Sequence, residues 1–155
     1  MNRIISLLFT LLLALSLSAC AGQAASPVWT VDGAAGLLES GAFSDELEEL
    51  DCDTAWMLYG LEEAGLTRDQ LTHGIIRRSA GATCEELAIL IFTDEAAAQS
   101  AANALEAYAQ AQMDNNRDYR PAELPKLENK VLDQRENTLL FLVAAQPELA
   151  EAAMG

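Results

Sequence analysis

Three cysteines, one histidine and two close pairs of acids are the residues of this 155-residue chain that could do chemistry. With Cys20 set aside for a reason given below, Cys52 and Cys84 form an even pair. A bridge between them would close a loop of about 33 residues, worth on the order of 3–4 kcal/mol in the chain-entropy model. Spacing alone does not bring two sulfurs within reach, so a bridge and two free thiols both stand open. The pair is not a Cys-x-x-Cys, and the neighbouring acids Asp51, Asp53, Glu85 and Glu86 would raise a thiol's pKa and blunt it. His73 is the sole histidine. A base or a ligand needs partners, so it reads as an exposed or edge-strand residue. Paired carboxylates can bind calcium or hydrolyse glycosides. Here the calcium-loop pattern is missing, and a chain this short leaves little room for a sugar cleft. Asp51 with Asp53, and Glu85 with Glu86, therefore read as helix caps and solvated surface. Trp29, Trp56, Tyr59 and Tyr108 read as core aromatics rather than a ligand groove. No catalytic residue, metal ligand or cofactor is expected.

Cys20 has a different setting. Residues 4–19 follow Arg3 and are apolar except for Ser6, Thr10, Ser16 and Ser18. Sixteen residues are at least one turn short of a comfortable membrane span of about twenty. A positive start, an apolar core and small residues before a cleavage point make a secretory signal. The order Leu17-Ser18-Ala19-Cys20 resembles the bacterial lipobox, in which the cysteine thiol takes a diacylglycerol. One acyl chain holds a protein only marginally, whereas two or three anchor it stably. Cys20 is thus the expected lipidation site.

Composition bounds the remainder. Loss of Arg3 with the leader leaves 8 basic against 24 acidic residues, a formal balance of −16. That field repels nucleic acid and anionic lipid, so an acyl group and not a polybasic patch must hold any membrane. It favours solubility first, and attraction of a basic partner or loosely held divalent cations second. Residues 1–19 read as the signal peptide, 20–33 as the lipidated cysteine with a flexible tether, and 34–155 as one α+β domain.

The elements that must position these residues follow from pattern. Residues 33–38 suggest a turn of helix. Residues 39–63 hold nine acids and no base. Within them Ser44 can cap a short helix bearing Phe43, Leu47 and Leu50 at i, i+4 and i+7, and Asp53 a second helix stopped by Gly60. Thr67 to Gln70 fits a capping box. Ile75 and Ile76 among Arg77 and Arg78 suggest an edge strand guarded by charge. The apolar run 87–92 is a strand with both faces covered, followed by a cap at residues 93–95 and an Ala-rich helix to about 113. A modest strand at 130–135, a turn at Glu136-Asn137, a second apolar strand at 139–143 and a helix opened by Pro147 repeat the plan. Two strand–strand–helix units give a four-stranded, mostly antiparallel sheet with helices on one face, preceded by short N-terminal helices.

With these residues in view, the chain resembles a family of small bacterial lipoproteins catalogued as domain of unknown function 4358. The resemblance is carried by residues 81–88 (Gly-Ala-Thr-Cys-Glu-Glu-Leu-Ala), the helix from Asp94, Tyr119 with Pro121, and Lys126-Leu127-Glu128-Asn129 with Val131. It implies export, lipidation and a compact α+β domain, and no nameable activity. The expected protein is lipid-anchored on the extracytoplasmic side of the cell membrane. It would serve there as a non-enzymatic binding or accessory module of the envelope. The alternative is a small envelope enzyme or thiol-dependent factor using Cys52 and Cys84. Expected partners are the membrane, through the Cys20 lipid, and an envelope protein or small ligand.

Overall fold

A computed structural model describes residues 28–81 and 83–154. The signal stretch, Cys20 and the tether up to Pro27 lie outside them. Five strands, β1 (Leu47–Leu50), β2 (Leu71–Ser79), β3 (Glu86–Phe92), β4 (Val131–Arg135) and β5 (Thr138–Val143), form one sheet in the order β1-β2-β3-β5-β4. Every neighbouring pair is antiparallel. The helices are α1 (Ala34–Glu39), α2 (Cys52–Leu58), α3 (Glu95–Asn116), α4 (Leu124–Glu128) and α5 (Pro147–Ala153).

The fifth strand is β1, where the sequence suggested a helix capped by Ser44. Two facts overturn that reading. The Ser44 and Asp45 amides donate to the Glu85 carboxylate instead of opening a helix. Leu47–Leu50 pairs with β2 so that Glu48 faces Arg78 and Glu49 faces Arg77. Opposite charges directly across an antiparallel pair stabilise it, and the Arg77 guanidinium reaches Glu49 at 2.9 Å. The arginines that looked like guards of an edge are half of a cross-strand ladder, and β2 is an interior strand. The true edges are β1 and β4.

The second correction concerns layers. In β3, Ala88, Leu90 and Phe92 face a core built with α3 and α2, including Ala101, Leu105 and Trp56. Leu87 and Ile89 face a second core with Leu37 of α1, Ala150 of α5 and Trp29. Helices therefore cover both faces. A strand alternates its side chains between faces, so a run buried throughout requires a layer on each.

Local signals explain the rest. Asp94 caps α3 by accepting from the Ala97 amide at 2.9 Å. The capping box at Thr67 and Gln70 is formed. Asp51, not Asp53, caps α2, accepting from the Asp53 and Thr54 amides. Gly60 stops the chain after α2 at φ +63°, a left-handed conformation that costs glycine little. Glu136 makes the β4–β5 turn at φ 52°. Trp29 clamps that hairpin, its amide bonding Thr138 Oγ1 and its indole N–H the Asp133 carbonyl, both at 3.0 Å. The Arg135 guanidinium lies 3.7 Å over the ring.

Candidate functional site

The strongest departure from the sequence reading lies where β2 turns into β3. Glu85 and Glu86 were expected on a solvated surface; they are 0% and 2% exposed. Removing an ionised carboxylate from water costs several kcal/mol unless donors replace the lost hydration. Each has its own set.

Glu85 Oε1 accepts from the Ser44 hydroxyl and, at 2.9 Å, from Lys126 Nζ. Its Oε2 accepts from the Ser44 amide at 2.8 Å and the Asp45 amide at 3.2 Å. Four donors fill the lone-pair positions of the two oxygens. Burial pushes this carboxyl upward, but the Ser44 and Lys126 bonds outweigh it and hold it below the usual carboxylate range. Lys126 is shared with Glu123 at 3.1 Å, and Glu123 in turn accepts the Cys84 amide at 2.8 Å. Burial would lower the lysine, yet Glu85 and Glu123 together raise it. The loop is tied down further by Ser79, which donates its hydroxyl to Asp45 and accepts the Thr83 amide. Arg120 holds the Gly81 carbonyl at 2.8 Å.

Glu86 joins a different set. The Tyr59 hydroxyl donates to Oε1 and the Tyr108 hydroxyl to Oε2, the latter at 2.9 Å, with Arg78 Nε 3.4 Å away. Arg78 stands opposite Glu86 in the β2–β3 register. The Tyr59, Tyr108 and Phe141 rings meet edge-on with centroids 5.1–6.4 Å apart, which fixes both phenols. Burial pushes the Glu86 carboxyl up, against the pull of the two phenols and Arg78. Burial and then the Glu86 charge push both tyrosines up, so they remain donors.

The two carboxylates thus turn into separate donor sets with no shared partner, and they cannot flank one scissile bond as paired catalytic acids do. Asp51 is a cap whose carboxyl the Thr54 amide and hydroxyl pull down, and Asp53 forms an exposed ion pair with Arg68 at 2.7 Å. His73 is exposed, on interior strand β2. Of the two readings left open for Cys52 and Cys84, the structure has the free thiols and not the bridge. Cys52 rests on Gly74, with its Sγ 3.9 Å from the Gly74 carbonyl oxygen. A Cβ added at Gly74 would lie 3.2 Å from that sulfur. Cys84 lies beyond the far end of β2. From Gly74 to Ser79 alone is roughly 16 Å at about 3.3 Å per residue, well past the limit of about 7 Å between bridged α-carbons. Burial, more than the flanking acids, raises both thiols, so neither is an activated thiolate. Among the described residues, no group of three or more His, Cys, Asp or Glu side chains is placed to hold a metal ion.

A family model matches residues 40–144, from just before β1 to just past β5. The chain belongs to the family of domain of unknown function 4358 (DUF4358). No curated protein and no solved structure matches it. The DUF4358 span contains the whole sheet, α3 and both glutamate sets. Two segments that carried the resemblance, residues 81–88 and 126–129, meet through the Lys126–Glu85 bond. Tyr119 stays 88% exposed. Sequence reasoning missed Ser44, Arg78, Glu123 and Lys126 as partners. The signal was scarcity: in so acidic a chain, each base away from an obvious surface helix is a candidate counter-ion for a buried acid.

Glu86→Gln keeps the shape and removes the charge, and its effect on pH dependence follows from the direction of the shift. Because the folded carboxyl titrates above its unfolded value, the folded state holds the proton to higher pH. Stability then falls as pH rises through that window and is level beyond it. The variant is expected to lose this fall in thermal melts taken between about pH 4 and 7. Parallel profiles for the two proteins would contradict the burial assigned to Glu86.

Proposed function

We propose that this chain is a lipid-anchored module on the extracytoplasmic face of the cell membrane, serving there as a binding or accessory protein and not as an enzyme. The observation that carries the reading is Leu17-Ser18-Ala19-Cys20 at the end of an apolar stretch too short to span a bilayer. The DUF4358 span begins well after it, at residue 40, which leaves room for a leader and tether. Two further observations support a non-catalytic role. The Glu85 oxygens are filled by four donors, so that carboxylate has no vacant position to take a proton from a substrate. Both thiols are raised by burial rather than activated.

The lipid has a physical task in this reading. A mature chain with 24 acidic and 8 basic residues is repelled by an anionic bilayer, so attachment rests on acyl chains, each methylene contributing about 0.8 kcal/mol. Cys20→Ser is expected to abolish incorporation of a labelled fatty acid and to release the chain, or leave its precursor uncleaved. Membrane retention and labelling equal to the parent would overturn the proposal.

A further inference from the structure

One flank of α3, beside the face packed on the sheet, is not fully covered. Between it and the segment from Met57 to Ala64 runs a groove of about 580 Å³. Ala104, Ala107 and Ala111 form one wall, Met57 and Leu58 stand on the other, and Tyr59 and Tyr108 contribute the floor. The floor is rigid, because both phenols are held by Glu86. Met57 is 73% exposed at the rim, and an unbranched thioether side chain adapts readily to an incoming apolar surface. The groove extends from Ser100 to Ala111, about 17 Å or three helical turns at about 1.5 Å per residue. Its one charged lining residue is the carboxylate Glu63, with Glu62 exposed beside it. Neither acid forms a salt bridge among the described residues.

We propose that this groove receives the apolar face of a basic amphipathic helix from a partner protein. Length and shape suit one helix of about three turns laid in a groove. Charge selects its sign: a second copy of a chain with formal charge −15, or any acidic partner, is repelled, while lysines flanking an apolar stripe meet Glu62 and Glu63. Alanines along the α3 wall let another backbone approach closely. The inference deepens the reading of the chain as a binding module and rests on it.

The probe is a synthetic Leu/Lys amphipathic helix of about 14 residues, long enough to be helical when docked, with a photoreactive leucine at its centre. It is mixed with the full mature chain in neutral detergent, and crosslinks are mapped by mass spectrometry. They are expected at residues 57–64 and 100–111. Ala107→Trp, which fills the groove from an exposed helix position, should weaken them about tenfold, and Glu63→Lys several-fold. Crosslinks scattered over the acidic surface, undiminished in Ala107→Trp, or equally strong with a Leu/Glu peptide would overturn the proposal. Sedimentation of the chain as a dimer with the groove protected would do the same. Fatty-acid labelling at Cys20 is read on the same preparation. A labelled chain that takes no peptide removes the groove assignment and leaves the anchor standing.

Discussion

Lys126→Met is expected to destabilise the domain by about 3–5 kcal/mol, the loss usual when one partner of a buried ion pair is removed. The lysine ammonium lies 2.9 Å from Glu85 and 3.1 Å from Glu123, so its removal leaves two carboxylates close together without their cation. Methionine keeps most of the stem's apolar cover, which isolates the charge from the packing. Some solvent reaches Lys126, whose side chain is 17% exposed, and this favours the lower end of the range. The loss should depend on pH. In the parent, Glu85 is held below its ordinary value, so its contribution is full at neutral pH and disappears as pH falls through the lowered value. Without Lys126, Glu85 takes a proton at higher pH, and the two stability curves converge on acidification. Urea titrations at several pH values measure this. A deficit that is the same at every pH would show that the loss does not come from the Lys126 charge.

Phe141→Ala is the second large effect, expected at about 3–5 kcal/mol. Phe141 is 0% exposed at the centre of β5 and meets the Tyr59 and Tyr108 rings at 6.4 and 6.0 Å. The cavity would sit directly beneath the two phenols that hold Glu86. Part of the cost should therefore come from loosened hydrogen bonds, and it should not add to that of Glu86→Gln, because the sites share partners. Phe141→Leu, which keeps more of the volume, should cost substantially less than the alanine variant. Denaturant midpoints of both single variants and the double variant decide it. Strict additivity would mean that the ring pack and the Glu86 set are independent.

Much of the frame is legible in the chain because its strongest strands are buried on both faces. A stretch such as Leu87–Ala88–Ile89–Leu90–Ile91–Phe92 has one reading when a fresh cap at Asp94 follows it. The same holds for Leu139 to Val143, introduced by Glu136-Asn137. Leu47–Leu50 was not legible. Its period fits a helix as well as a strand, and what decides is pairing with residues about thirty positions later. The second helical layer was implied by the doubly buried runs; α1 and α5 are legible at residues 33–38 and from Pro147, but nothing local places them on the face opposite α3. Glu85 and Glu86 were misread for a related reason. A carboxylate's environment depends on its donors, and the donors here come from about 40 residues away on either side of Glu85, and from 27 and 22 residues away for the phenols of Glu86. Local pattern has no access to such pairs.

The Trp29 clamp also sets how the domain would be carried. The chain enters the described fold at the β4–β5 hairpin, because Trp29 is fastened to Asp133 and Thr138. Thr138 stands opposite Ile91, and Val143 opposite Glu86, so the hairpin and the Glu86 end are separated by five residues of strand, roughly 17 Å at about 3.4 Å each. Eight residues lie between Cys20 and Trp29, a leash of at most about 30 Å. Were Cys20 lipidated as proposed, the hairpin would be the first part of the described fold that the anchored segment meets. Under the proposed anchoring, a pull on the chain would be delivered first to the indole and the hairpin, and would reach the buried glutamates only through the length of the sheet.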